Sequence, residues 1–167
     1  ITFAPPDKFL VVATTPQAVI RQIVNGDQGW ILNGTNLRTL TPAEAGDAGR
    51  GWEEIFGVVK VKQLPGMNFG GVQKLGDREA YVVAKTTDAK TELYYFDSAT
   101  GLLTRKMTIN NTSLLPIPEQ IDFEDYRDVD GIKMPFTIRF SGIDTFNSWT
   151  RIFTEIKRNQ AVDEAAF

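Results

Sequence analysis

The chain has 167 residues, 42% of them hydrophobic and 23% charged, with a net charge of −3 and neither cysteine nor histidine. That is the size and make-up of one globular domain with a sizeable core, residues 1–167. The missing residue types exclude disulfides, a thiolate nucleophile and a Ser-His triad, and remove the commonest general base and metal ligand. Weak acidity without a dense basic run lacks the footprint of a nucleic-acid binder.

Taken in order, short runs of strand formers alternate with turn residues. The chain opens on Ile1-Thr2-Phe3-Ala4, which reads as the end of a strand, so a processed chain with an upstream region is expected. Strands are predicted at Lys8 to Thr14, Gln17 to Asn25, Trp30 to Asn33 and Leu37 to Leu40. Asn33-Gly34 is a hairpin signal, because both residues tolerate positive φ. Thr41-Pro42-Ala43-Glu44 then has the marks of a helix start: Thr41 caps, Pro42 suits the first helical position and Glu44 closes a capping box. Trp52, Ile55, Phe56 and Val59 recur at helical spacing, which predicts an amphipathic helical segment over roughly 42–57.

Strands resume at Asn68 to Leu75, where Gly70-Gly71 suggests a bulge or a close backbone approach. Arg78 to Thr86, Thr91 to Asp97 and Leu102 to Asn110 follow, then a proline-containing loop over residues 111 to 118. Ile121 to Tyr126, Ile132 to Phe140 and Trp149 to Arg158 complete the set. Alternation is clearest in the penultimate strand, where Ile132, Met134, Phe136, Ile138 and Phe140 share one face. Leu103, Met107 and Ile109 set against Thr104, Lys106 and Thr108 read as another strand with a dry and a wet side. Consecutive hairpins with one or two short helices predict a mainly β fold: a large curled antiparallel sheet, an incomplete β-barrel, with the helical segment on its concave face. No run approaches the ~20 apolar residues of a membrane span.

Several segments together carry a resemblance. Lys74-Leu75-Gly76-Asp77-Arg78-Glu79-Ala80-Tyr81 resembles a "K-x-G-G-R-x-A-Y" strand, with Asp77 where a second glycine is common. Tyr95-Phe96-Asp97-Ser98-Ala99-Thr100-Gly101-Leu102-Leu103-Thr104-Arg105 is similar to "Y-F-D-x-x-T-G-L-L-x-R". Phe123 to Pro135 resembles "F-x-D-Y-R-x-V-D-G-x-K-x-P", and Asn159 to Phe167 resembles an "N-x-x-x-D-x-x-x-F" close. These are motifs of the LolA/LolB-like lipoprotein-carrier fold family, and the likeness spans roughly residues 8 to 167. The resemblance implies an incomplete antiparallel barrel that binds lipid or lipoprotein acyl chains in an apolar cavity, in the periplasm or cell envelope. It also implies that an N-terminal helix and strands of the full domain are missing here. Similar domains in some bacteria follow a c-type cytochrome segment, and no Cys-x-x-Cys-His site is present in this chain.

The candidate site is an apolar cavity between helix and sheet. Trp52, Ile55, Phe56 and Val59 would line one wall; Met134, Phe136, Ile138 and Phe140 would line the other. Ordinary core packing of the same side chains is the competing reading. No catalytic residue, metal site or cofactor is expected. Asp122, Glu124 and Asp125 read as solvated strand carboxylates, and Asp128-Val129-Asp130-Gly131 as a hairpin turn that lacks the further ligands of a calcium loop. The expected function is a non-enzymatic envelope binding domain for lipid or an acyl chain; the alternative is an accessory interaction domain with a packed core.

Overall fold

The computed structural model describes residues 1–4, 7–14, 16–46, 48, 66–144, 146, 148–161, 163, 165 and 167. The chain is mainly β, as the sequence predicts, with two unclosed antiparallel sheets and one short helix among the described residues. It divides into two compact units.

In the first unit five strands form a meander in the order β1 (Thr2–Ala4), β2 (Lys8–Thr14), β3 (Val19–Asn25), β4 (Gln28–Asn33) and β5 (Asn36–Thr39). Asn33 pairs with Asn36 across the predicted turn, where Gly34 takes φ +59. Phe9, Val24, Leu40 and Ala45 are buried. Helix α1, residues 42–46, rests Ala45 on β4. A Cβ added at Gly29 would lie 2.9 Å from the Leu40 side chain and 3.3 Å from the Ala45 methyl, so glycine suits this close approach. The predicted capping box is present: Glu44 Oε2 accepts from the Thr41 backbone N–H at 2.8 Å, and Thr41 Oγ1 accepts from the Glu44 N–H at 3.3 Å. The Thr41 backbone N–H, Arg38 and the Thr41 hydroxyl, which donates to Oε2 at 3.1 Å, all bond to the carboxylate and hold Glu44 down at a pKa of about 2.

The second unit is a seven-stranded meander: β6 (Asn68–Leu75), β7 (Arg78–Thr86), β8 (Lys90–Asp97), β9 (Leu103–Asn111), β10 (Pro116–Val129), β11 (Ile132–Ser141) and β12 (Trp149–Ile152). Its hairpins turn where the sequence predicts, at Gly76-Asp77 and at Asp130-Gly131. In the latter turn both residues take positive φ and Asp128 Oδ1 accepts from the Gly131 N–H at 2.9 Å. The bulge expected at Gly70-Gly71 appears as a register shift between Phe69 and Gly71.

Two expectations need correction here. Residues 116–118, read as loop, begin β10 despite two prolines, with Pro116 paired to Asn111 and Pro118 to Ile109. β11 ends at Ser141 opposite Gln120, so Pro116 and Pro118 stand beyond its reach, where the missing N–H groups cost no ladder bond on that side. The last strand is also shorter than predicted: β12 stops at Ile152, not Arg158.

Candidate ligand-binding face

Antiparallel partners project to the same side of a sheet, so register assigns faces. Along β11, Met134, Phe136, Ile138 and Phe140 do share one face, as alternation requires. Met134, Phe136 and Ile138 are buried, Ile138 completely; Phe140 is half-buried and stacks on Trp149 with ring centroids 5.7 Å apart. Trp52, Ile55, Phe56 and Val59, the proposed opposite wall, lie outside the described residues.

The face extends well past β11. Ile121 pairs with Phe140 and Phe123 with Ile138, which adds two β10 side chains to the apolar set. Following the register across all seven strands gives one continuous row: Phe69, Val83, Tyr94, Lys106, Ile121, Phe140 and Trp149. Arg151 sits beside Ile138, its guanidinium 4.8 Å from the Trp149 ring. Arg127 lies opposite Met134, its guanidinium 4.4 Å from the Phe136 ring centroid. Cationic groups thus lie over aromatic rings on the face that carries the apolar stripe.

Lys106 overturns the reading of β9 as having its wet side at Thr104, Lys106 and Thr108. The Lys106 side chain is only 6% exposed. Its Nζ lies 3.4 Å from Glu92 Oε1 and 5.4 Å from the centre of the Tyr94 ring. Lys90 Nζ approaches the same oxygen at 3.0 Å. Burial pushes the Glu92 carboxyl upward, but the Lys90 hydrogen bond and the positive charges of Lys106 and Lys90 outweigh it and hold the group below 4.5. A nearly dry face therefore contains a lysine-carboxylate cluster. Alternation within β9 could not reveal it, because an isolated Lys between two threonines looks solvated. The partner is named only by the β8–β9 register, in which Glu92 faces Thr108 and Tyr94 faces Lys106.

Two carboxylates of β10, Asp122 and Glu124, point the other way and are matched across strands. Arg105 Nε donates to Asp122 Oδ1 at 2.6 Å, and Gln120 donates to the other oxygen at 2.7 Å. Arg139 forks onto Glu124, with contacts of 3.1 to 3.3 Å. Asp125 takes two bonds from Arg127, the shorter at 2.6 Å. These groups serve as cross-strand and local ion pairs.

No protein-family model matches the chain, and no curated protein does. Among solved structures the chain is similar to the LolA superfamily protein NE2245 from Nitrosomonas europaea. The likeness covers 88% of this chain and 83% of that one, at 13% sequence identity and a TM-score of 0.49.

Proposed function

We propose that this chain is a non-enzymatic binding domain of the cell envelope for an apolar ligand, a lipid or the acyl chain of a lipoprotein. The ligand lies along the Met134, Phe136, Ile138 and Phe140 face, with Trp52, Ile55, Phe56 and Val59 as the second wall. The observation that carries this reading is the extent of the apolar stripe: four alternate positions of β11 continued by Ile121 and Phe123 on β10. Each acyl CH₂ removed from water against such a surface contributes ~0.8 kcal/mol without any charged contact. A chain without histidine or cysteine has little means of chemistry on such a ligand. The sequence motifs shared with lipoprotein carriers, and the envelope location they imply, support the same reading. An upstream domain of the same parent protein is part of it.

A second reading is favoured by one specific observation. Ile138 is 0% and Phe123 3% exposed, the behaviour of an ordinary packed core. In that case the chain is an accessory interaction domain of a larger secreted or cytochrome-associated protein. Organic-solvent extraction of the purified protein separates the two. Co-purifying lipid, together with saturable displacement of a fluorescent fatty acid, supports the binding domain. Absence of both supports the accessory domain. Phe56→Asp places a charge in the proposed wall, and uptake that persists in a folded Phe56→Asp protein rules that wall out.

A further inference from the structure

The seven-stranded sheet presents large apolar side chains to water at the loop tips of one end. β9 ends at Asn111 and β10 begins at Pro116; β11 ends at Ser141 and β12 begins at Trp149. Because these neighbours run antiparallel, loops 112–115 and 142–148 leave the sheet at the same end. The first carries Leu114, 90% exposed, and Leu115, 54% exposed; the second carries Phe146, 97% exposed, and Ile143, 63% exposed. Single exposed apolar residues are ordinary, but four on two loops at the same end of one sheet mark an interaction surface.

The backbone at the Leu114 tip is prepared for loss of water. Thr112 Oγ1 accepts from the Leu114 N–H at 3.3 Å and from the Leu115 N–H at 3.2 Å, and donates to the Leu115 carbonyl at 2.7 Å. Pro116 follows with no N–H to satisfy. The hairpin is braced from the side, since Asn111 donates to the Asp88 carbonyl at 3.0 Å and to the Ala89 carbonyl at 2.8 Å. Residues 107–118 contain no charged side chain. Desolvating this tip therefore strands few polar groups, which is the usual obstacle to placing a loop in an apolar medium.

We infer that these two tips anchor the chain to the interface of an electrically neutral, zwitterionic lipid bilayer. A folded protein partner would need a pocket shaped to each of two separately projecting loops. The headgroup–acyl boundary of a bilayer accepts protruding Leu, Ile and Phe side chains wherever they enter. Charge selects the lipid class. Loops 112–115 and 142–148 contain no Lys or Arg and one acidic residue, Asp144, and the bracing loop adds Asp88. Anionic lipid is disfavoured by that sign. The inference does not depend on ligand uptake by the sheet face.

The test is pelleting of the protein with phosphatidylcholine vesicles. Wild type co-sediments, and the double variant Leu114→Ser/Phe146→Ser, altered only at side chains already in water, loses roughly tenfold or more in partitioning while its circular dichroism is unchanged. Leu37→Ser, at a 66% exposed position of β5, binds as wild type does. Failure of the wild type to pellet, or equal pelleting of the double variant, overturns the inference. So does binding that appears only when the vesicles carry phosphatidylglycerol. A wild-type dimer that the same substitutions convert to monomer in the absence of vesicles assigns the tips to a second copy of the chain and overturns it too.

Discussion

Two rows of side chains cross the seven-stranded sheet one residue apart, on opposite faces. The first is Phe69, Val83, Tyr94, Lys106, Ile121, Phe140 and Trp149; the second is Gly71, Val82, Tyr95, Arg105, Asp122, Arg139 and Thr150. Both are apolar over β7 and tyrosine-bearing at β8, and both place a cation on β9. They diverge from β10 onward. The second row sets Asp122 between Arg105 and Arg139, all within reach of water. The first row continues as Ile121, Phe140 and Trp149, and Lys106 pairs back on β8, with Glu92. The remainder of the second face is conventional: Ala80, Val82 and Tyr95 form a core with Leu75, Leu93 and Met107, and the half-buried Tyr126 donates its hydroxyl to the Leu103 carbonyl at 2.6 Å. Adjacent residues of one strand thus carry ion pairs of the same kind in different surroundings. The Arg105–Asp122 side chains are 29% and 16% exposed, those of Lys106 and Glu92 6% and 11%. The lesson is that an ion pair is valued by what would solvate it if it were broken.

The largest effect should come from breaking the drier pair. Glu92→Ala leaves Lys106 buried beside Tyr94 and should cost about 3–5 kcal/mol in urea unfolding. Adding Lys106→Met to that variant should recover part of the loss, because a buried charge goes with it. Arg105→Ala, on the wetter face, should cost only about 1–2 kcal/mol by the same assay, since water can reach Asp122. If the two single variants lose stability equally, the difference between the faces is not one of hydration.

Acid sharpens the comparison with a smaller signal. Glu92 has a lower pKa folded than unfolded, so its contribution is complete above about 4.5 and is lost as pH falls through the folded value. Glu92→Gln should therefore flatten the stability decline below pH ~4.5. Glu44 in the helix cap has the same sign for a different reason, two hydrogen bonds from Thr41 and one from Arg38, not a buried lysine. Its carboxyl should titrate near pH 2 by NMR, and Thr41→Ala should raise that value toward 4.5.

Much of the architecture could be read in advance because it is local. Asn33-Gly34, Gly76-Asp77 and Asp130-Gly131 set hairpins through positive φ, and Thr41 with Glu44 sets the helix start through reciprocal hydrogen bonds. The β11 half of the candidate site was legible through a period of two over ten residues. The parts that escaped are properties of pairing. Pro116 and Pro118 join a strand because β11 stops short of them. Lys106 is buried because of what β8 and β10 put beside it, and a slip between Tyr95 and Phe96 makes that register hard to count from the turn. Ile121 and Phe123 belong to the same stripe as β11, yet their membership follows only from the β10–β11 ladder.

Binding of a fatty chain is expected on the apolar face and not on the charged one. Titration of the purified protein with a fluorescent fatty acid measures this directly, with Phe140→Asp altering the first face and Arg139→Ala the second. The expected result is saturable uptake by wild type and Arg139→Ala, and its loss in a folded Phe140→Asp protein. Uptake that never saturates, or that survives Phe140→Asp unchanged, contradicts the account.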